Sequence, residues 1–97
     1  MRPHRNAAAA FSMVDDALAD WDLYAIGWTA PGVISVQPSD DADRLAIADR
    51  LGLGPAVVND AGTLATHIGD WADIPVRVYG RPTPAEMVDW AQRRAVA

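Results

Sequence analysis

The chain has 97 residues, of which 51% are hydrophobic, and its formal net charge at pH 7 is −5. This length suits one domain and is too short for two. The negative charge excludes a surface built broadly for the phosphate backbone of nucleic acids, because that binding requires clustered cations. The sequence contains no cysteine, which excludes disulfides, thiolate metal sites and thiol nucleophiles.

The sequence lacks the features of a membrane or secreted protein. No apolar run approaches the roughly 18 residues that a membrane helix needs. Asp15 and Asp16 interrupt the alanine-rich N-terminal stretch before it could act as a secretion signal. We therefore expect a cytoplasmic protein with no membrane contact, in which residues 1–6 are disordered and residues 7–97 form one domain.

The first predicted element is a helix from Ala7 to about Tyr24. Large apolar residues recur along it with the 3-4-3 spacing of one helical stripe, at Phe11, Val14, Leu18 and Trp21. After a break at Gly27 and Pro31-Gly32, the alternation of apolar and polar residues from Gly32 to Gln37 predicts a strand.

A second helix is predicted to begin with Ser39 as its N-cap. Asp40, Asp41 and Asp43 follow in the first turn, where the helix dipole favours negative charge. Apolar residues continue to Leu51, and Gly52 then predicts the C-terminal end.

The runs Thr63–Gly69 and Ile74–Tyr79 predict a β-hairpin, preceded by a short apolar piece at residues 56–59 that is either a strand end or a loop. In each run alternate residues share a face, and we expect those two faces to match. They consist of Leu64, Thr66 and Ile68 in the first run and of Ile74, Val76 and Val78 in the second.

Two hairpin registers satisfy that match. Pairing Asp70 with Ile74 leaves a three-residue loop and places His67 opposite Arg77. Pairing Ile68 with Ile74 leaves a five-residue loop. We favour the first register.

The last predicted element is a helix that starts at a capping box. Thr83 is the cap, Pro84 takes the first helical position, and Glu86 stands three residues after the cap. Asp89 and Arg93 have the spacing of an ion pair on one helix face. The order α-β-α-β-β-α predicts a two-layer α+β sandwich with a three-stranded sheet and about three helices.

His67 is the one histidine in the predicted folded region, and it is the candidate residue for catalysis. A general base needs a carboxylate or nucleophile within hydrogen-bond reach. Asp70 is three residues away, an offset that places it on the opposite face of a strand. We therefore favour a structural histidine on the outer face of the sheet, across from Arg77 or Pro75.

Eight aspartates lie between Asp15 and Asp49 against Arg44 alone, a local charge of −7. Metal sites need carboxylates that converge on one point, and these aspartates lack the spacing of a calcium loop. Asp16 and Asp20 share a helix face but form only half of such a site. We predict a solvated acidic face and no metal or cofactor.

Four tryptophans are present in the chain. Trp21 and Trp90 lie on helical stripes and are predicted to be core residues. Trp28 and Trp71 fall in predicted loops, where each ring either folds back onto the domain or contacts a partner, since tryptophan is enriched at the energetic centres of interfaces.

Part of the chain resembles a group of known proteins. The strand Gly32–Gln37, the helix end Leu51–Leu53, and the runs Thr66–Trp71 and Ile74–Gly80 are similar to small uncharacterised proteins encoded by actinobacteria and their bacteriophages. The resemblance covers about the last two-thirds of the chain and includes no catalytic motif. It implies a compact accessory protein and, for a phage product, one that binds a host protein.

These features favour a non-enzymatic protein-binding accessory protein, such as a phage-encoded modulator of a host protein. The predicted interface residues are Trp71, Trp28, Asp16 and Asp20, of which the two acids would speed encounter with a basic partner. Two alternatives remain open: a small enzyme that uses His67 with Asp70 or Arg77, and an acidic decoy of a nucleic-acid-binding protein. The oligomeric state does not follow from the sequence.

Overall fold

Three helices and five strands follow one another in the computed structural model, which describes residues 7–29 and 32–96. They are α1 (Ala7–Ala17), β1 (Leu23–Thr29), β2 (Val33–Pro38), α2 (Asp43–Arg50), β3 (Val57–Val58), β4 (Ala65–Trp71), β5 (Ile74–Gly80) and α3 (Pro84–Val96). The predicted α+β class is confirmed, but the sheet has five strands and not three. The predicted disorder of residues 1–6 lies outside the described residues.

The five strands form one sheet in the order β1-β2-β5-β4-β3. β2 and β5 run parallel, and the three other neighbouring pairs are antiparallel. The connection from β2 to β5 contains α2, β3 and β4. The long strand β1 and the two-residue strand β3 therefore occupy the two edges.

One face of the sheet carries the hydrophobic core. β2 and β5 contribute fully buried side chains in matching register, Ile34 beside Val76 and Val36 beside Val78. α1, the turn that follows it and α2 cover this face with further buried residues, among them Val14, Leu18 and Ile47. Alternate strand residues such as Ser35, Arg77 and Tyr79 lie on the opposite face and remain partly exposed.

The first helix is shorter than predicted, and the strand that follows it was not predicted. α1 ends at Ala17, and a turn carries the chain into β1, which pairs antiparallel with β2 from Leu23 to Thr29. Trp21 fits the spacing of the α1 stripe but lies beyond the helix. Gly32 (φ 113°) closes the hairpin by donating its N–H to the Thr29 carbonyl at 2.7 Å, a conformation that glycine adopts readily.

The predicted Ser39 cap is wrong. α2 begins at Asp43, and Ala42 occupies the N-cap position with no side-chain cap bond. Ser39 instead extends the β1–β2 pairing by donating its backbone N–H to the Asp22 carbonyl at 3.0 Å. The Asp40 carboxylate accepts the Ala42 N–H at 3.0 Å, so an aspartate turn precedes the helix.

The predicted C-terminal end of α2 is confirmed. Gly52 has a positive φ of 64° and donates to the Asp49 carbonyl at 3.0 Å, while Leu53 donates to the Ala48 carbonyl at 2.9 Å. These two bonds form a Schellman motif, which satisfies carbonyls that a helix end leaves unpaired.

Both predicted hairpin registers are wrong, the favoured one by one residue and the alternative with the five-residue loop by three. Trp71 pairs with Ile74 across a two-residue turn, and His67 lies opposite Val78. The core face of β4 carries Ala65 and His67, whereas Ile68 is 66% exposed. The prediction failed because it assigned the larger apolar residues of β4 to the core, although a shift of one residue exchanges the two faces.

The capping box of α3 is confirmed. The Glu86 backbone N–H donates to Thr83 Oγ1 at 3.1 Å, and the Thr83 N–H donates to the Glu86 carboxylate at 2.8 Å. Asp89 and Arg93 form the expected ion pair at 2.9 Å.

The β4–β5 turn gives a testable consequence for stability. Ala72 (φ 51°) and Asp73 (φ 63°) both adopt the left-handed conformation of a type I′ turn. Alanine is disfavoured there and asparagine is tolerated, so Ala72→Asn should raise the free energy of unfolding by roughly 0.5–1 kcal/mol, measured by urea denaturation. Ala72→Val is the control and should lower it; equal stability of the two variants would contradict the turn geometry.

Candidate functional site

The most unusual feature of the interior is a fully buried arginine. The Arg44 side chain, on α2, has 0% exposure. Its Nη1 donates to His67 Nε2 at 2.7 Å, and its Nη2 donates to the Glu86 carboxylate and to the Arg81 carbonyl, the latter at 3.4 Å. Arg44 Nε has no partner among the residues that the structure describes. One cation thus links α2 to β4, to α3 and to the segment after β5.

His67 is part of this buried network and is only 3% exposed. Its Nδ1 lies 2.9 Å from the Gly54 carbonyl oxygen, which can only accept, so Nδ1 carries the proton. Nε2 then accepts from Arg44, and the ring is neutral. The prediction of an outward-facing histidine is therefore wrong, and the cause is the register error in β4.

The predicted catalytic companions of His67 lie elsewhere. Arg77 pairs with Ile68 and Asp70 pairs with Pro75, so both belong to the opposite face of the sheet. With Arg44 on one ring nitrogen and the Gly54 carbonyl on the other, His67 has no nitrogen available to a substrate. The arrangement gives His67 a structural task, which is to orient the Arg44 guanidinium.

Glu86 is the anion of the network, with its side chain 21% exposed. Burial raises the pKa of this carboxyl, but hydrogen bonds from Arg44 and from the Thr83 N–H, together with the Arg44 charge, outweigh burial and hold the pKa below its ordinary value of 4.5. Glu86 therefore serves twice, as the partner of the buried cation and as the reciprocal cap of α3.

A second region of interest is the free edge of the sheet at β1. The seven residues of β1, Leu23–Thr29, contain no charged residue and no proline, and no strand lies beyond β1 in the described part of the chain. Tyr24 is 75% exposed and Trp28 is 43% exposed. We call β1, together with the exposed acids Asp16 and Asp20, the edge surface.

Three of the four predicted interface residues belong to the edge surface. Trp28 lies within β1 and not in a loop, while Asp16 and Asp20 are exposed on and just after α1, which packs over β1 and β2. Asp20 Oδ2 lies 3.4 Å from Arg50 Nη2, and the Arg50 guanidinium stacks over the Trp21 ring. Both partners of that ion pair are exposed, so it holds Asp20 only weakly.

The fourth predicted interface residue, Trp71, lies apart from the edge surface. It is the last residue of β4, where β2 and β5 separate it from β1, and it is partly buried against the hydrophobic core. Most of its ring is therefore committed to the fold. Trp90 also packs within the domain, and its indole N–H donates to the Asn59 carbonyl at 3.1 Å.

The structure also contains open grooves. One of about 430 Å³ lies between β3 and α3 and is lined by Val57, Trp90 and Arg94, among others. Another of about 450 Å³ lies at the carboxyl ends of β2 and β5, beside Tyr24, Asp41 and Arg81. His67 lines neither groove. Within residues 7–29 and 32–96, no group of three or more histidine or acidic side chains is placed to hold a metal ion.

None of the helices in the described residues has both the length and the apolar character needed to cross a membrane. Comparison of the chain with protein-family models, with curated proteins and with solved structures gave no match.

The buried network gives a prediction about stability. Arg44→Ala should lower the free energy of unfolding by roughly 3–5 kcal/mol, because it leaves Glu86 and His67 without their buried partner. The matched control is Arg50→Ala, on the same helix but with an exposed ion pair, which should cost less than about 1 kcal/mol. The measurement is urea unfolding followed by tryptophan fluorescence.

If Arg44→Ala does not fold, Arg44→Lys provides the same test, because one ammonium group cannot serve His67 and Glu86 with the planar geometry of a guanidinium. Equal losses for the substitutions at positions 44 and 50 would show that the network contributes no more than a surface pair.

Glu86 gives a prediction about pH. Because its pKa in the folded protein is lowered, its contribution to stability is fully present above pH 4.5, the ordinary value, and is lost as the pH falls through the folded value. Glu86→Gln should therefore be less stable than the parent at pH 7, and the gap should narrow below about pH 4.5. A gap that stays constant between pH 7 and pH 3 would contradict the assignment; Asp89→Asn is the control for an exposed acid of α3.

Proposed function

We propose that this chain is a non-enzymatic protein-binding module whose contact surface is the edge surface. The observation that carries this proposal is the uncharged, seven-residue strand β1 at an open edge of the sheet. An unpaired strand edge presents free backbone N–H and C=O groups to another chain, and proteins usually block long edges with charges, prolines or a covering segment. β1 has neither charge nor proline.

The side chains of β1 support the same proposal. Tyr24 and Trp28 are exposed large aromatics on the edge strand, and tyrosine and tryptophan dominate the energetic centres of protein interfaces. The opposite edge differs, because β3 has only two residues, and very short edge strands are poor templates for pairing. The two edges of the sheet are therefore not equivalent.

The alternative of an enzyme that uses His67 has less support, because both ring nitrogens are engaged and the residue is buried. In the wider proposal, which depends on the resemblance to actinobacterial and phage proteins, the module is a cytoplasmic modulator of a host protein.

The test is site-specific crosslinking. A photoreactive phenylalanine analogue is placed at Tyr24 or, as the control, at Val88, which is 58% exposed on α3. In lysate of an actinobacterial host, position 24 should give one predominant protein adduct that position 88 does not give. The proposal fails if position 24 gives no adduct or if both positions give the same set.

The crosslinked protein then allows a binding measurement. Trp28→Ala should weaken its binding at least about tenfold, because truncation of an aromatic anchor removes much of the local interface energy. Val88→Ala should leave binding unchanged. Circular dichroism must show both variants folded, and an unchanged affinity of folded Trp28→Ala would remove Trp28 from the interface.

A further inference from the structure

We propose that the partner contributes an extended, basic segment that pairs with β1 as a sixth strand of the sheet. This inference rests on the proposed function and adds the conformation and charge of what binds. It follows from the backbone of β1, from the side chains along its two faces, and from the acids beside it.

Some backbone N–H and C=O groups of β1 are not paired with β2. In an antiparallel pair, alternate residues of a strand direct their N–H and C=O groups away from the neighbouring strand. β1 pairs with β2 along Ala25–Thr29 without interruption, and its one irregularity of register lies at Tyr24. Alternate residues of Ala25–Thr29 thus present their backbone groups along a regular outer edge, and an extended segment is the ligand that such an edge accommodates.

The faces of β1 determine which side chains fit on an added strand. On the outer sheet face, β1 carries the small residues Ala25, Gly27 and Thr29, which leave space for larger side chains of a neighbouring strand. On the core face, Ile26 packs against the core beneath α1. Alternate residues of the added strand would therefore lie beside α1.

The charge on α1 and on the turn that leads into β1 indicates the chemistry of those residues. Asp15, Asp16, Asp20 and Asp22 are all exposed on α1 or on the turn that leads into β1. Within residues 7–29 and 32–96, the basic side chain paired with this group is Arg50, through Asp20. Lysine or arginine side chains at every second position of the added strand would complement this negative flank.

The same charge decides against two other occupants. A second copy paired through β1 would bring two groups of aspartates towards each other, on a chain whose net charge is already −5. A nucleic acid would bring phosphates to the same acids. The outward backbone groups of β1 favour an extended segment, and the exposed aspartates favour a basic one. We therefore infer a basic extended segment of another protein.

The test uses a synthetic peptide of alternating residues, acetyl-KVKVKVK-amide, with the ¹⁵N-labelled full chain. The peptide should shift the amide resonances of Ile26, Gly27 and Trp28, and it should slow hydrogen exchange at those β1 amides whose N–H faces the open edge. The EVEVEVE analogue should bind at least about tenfold more weakly, because its charge is reversed. A KVKVKVK peptide N-methylated throughout its interior should also bind at least about tenfold more weakly, because it keeps the charge but cannot pair as a strand.

A matched pair of charge variants tests the role of the acids. Asp16→Asn/Asp20→Asn should weaken KVKVKVK binding at least about threefold at roughly 0.05 M salt, and the difference should shrink near 0.5 M salt as charges are screened. Asp60→Asn/Asp70→Asn makes the same change in net charge away from β1 and should have no effect.

Several outcomes would overturn the inference. Equal binding of the N-methylated peptide would mean charge attraction without strand addition, and unshifted β1 resonances would place the contact elsewhere. If the chain sediments as a dimer and Ala25→Lys dissociates that dimer, the occupant of β1 is a second copy of the chain.

The crosslinking and peptide experiments together separate the two proposals. If position 24 crosslinks a protein but the peptide leaves the β1 resonances unchanged, protein binding stands and strand addition fails. If the peptide binds β1 but no protein crosslinks at position 24, the proposed function fails instead.

Discussion

The interaction on which the rest of the structure depends is the buried guanidinium of Arg44. A charge removed from water must be paired, or its desolvation exceeds what the fold can offset. Here the pairing is shared among the neutral His67 ring, the Glu86 carboxylate and the Arg81 carbonyl. Gly80 lies directly beneath: a Cβ there would stand 2.9 Å from Asp41 Oδ1 and 3.5 Å from Arg44 Cδ. This network joins α2, β4, β5 and α3 in one place, and it holds α3 by polar contacts where the hydrophobic core does not extend.

Local sequence patterns predicted those parts of the fold that local interactions determine. The Thr83 capping box and the Gly52 helix end were predicted correctly because each is formed by residues within five positions of one another. The core-facing side of β4 was not predicted correctly. His67 lies on that side because its hydrogen-bond partners are there: Arg44, which is 23 residues away in sequence, and the Gly54 carbonyl. When the hydrogen-bond partners of a polar residue are distant in sequence, the neighbouring residues give no pattern that predicts its burial. β1 was missed because Trp21 prolongs the helical stripe, which hid the strand-forming residues Tyr24, Ile26 and Trp28.

The sequence selected three residues of the surface proposed for binding, but not for the property that makes that surface distinctive. The residues were chosen by type, as an aromatic and two acids to which the sequence assigned no structural role. Trp28 lies in the edge strand β1, and Asp16 and Asp20 lie on and just after α1, which packs over β1 and β2. What makes that edge distinctive is the position of β1 in the strand order, a long-range property that a single sequence does not reveal. Trp71 was chosen by the same reasoning, but its ring packs against the core, because the turn is one residue tighter than predicted.

The stability network and the proposed contact occupy opposite ends of the sheet. Arg44, His67 and Glu86 tie down the side that holds β4 and α3, while β1 lies two strands beyond β5 and takes no part in that network. In the proposed mode of binding, the added strand would therefore contact no residue of the buried network. An uncharged edge strand also invites pairing with copies of itself. In the proposed mode of binding, the aspartates of α1 and of the turn before β1 would oppose that pairing and favour a basic segment. A second copy of this chain is present wherever the protein is, so it is the competitor that β1 always meets. By opposing that copy, the acids would leave β1 free to pair with a basic segment.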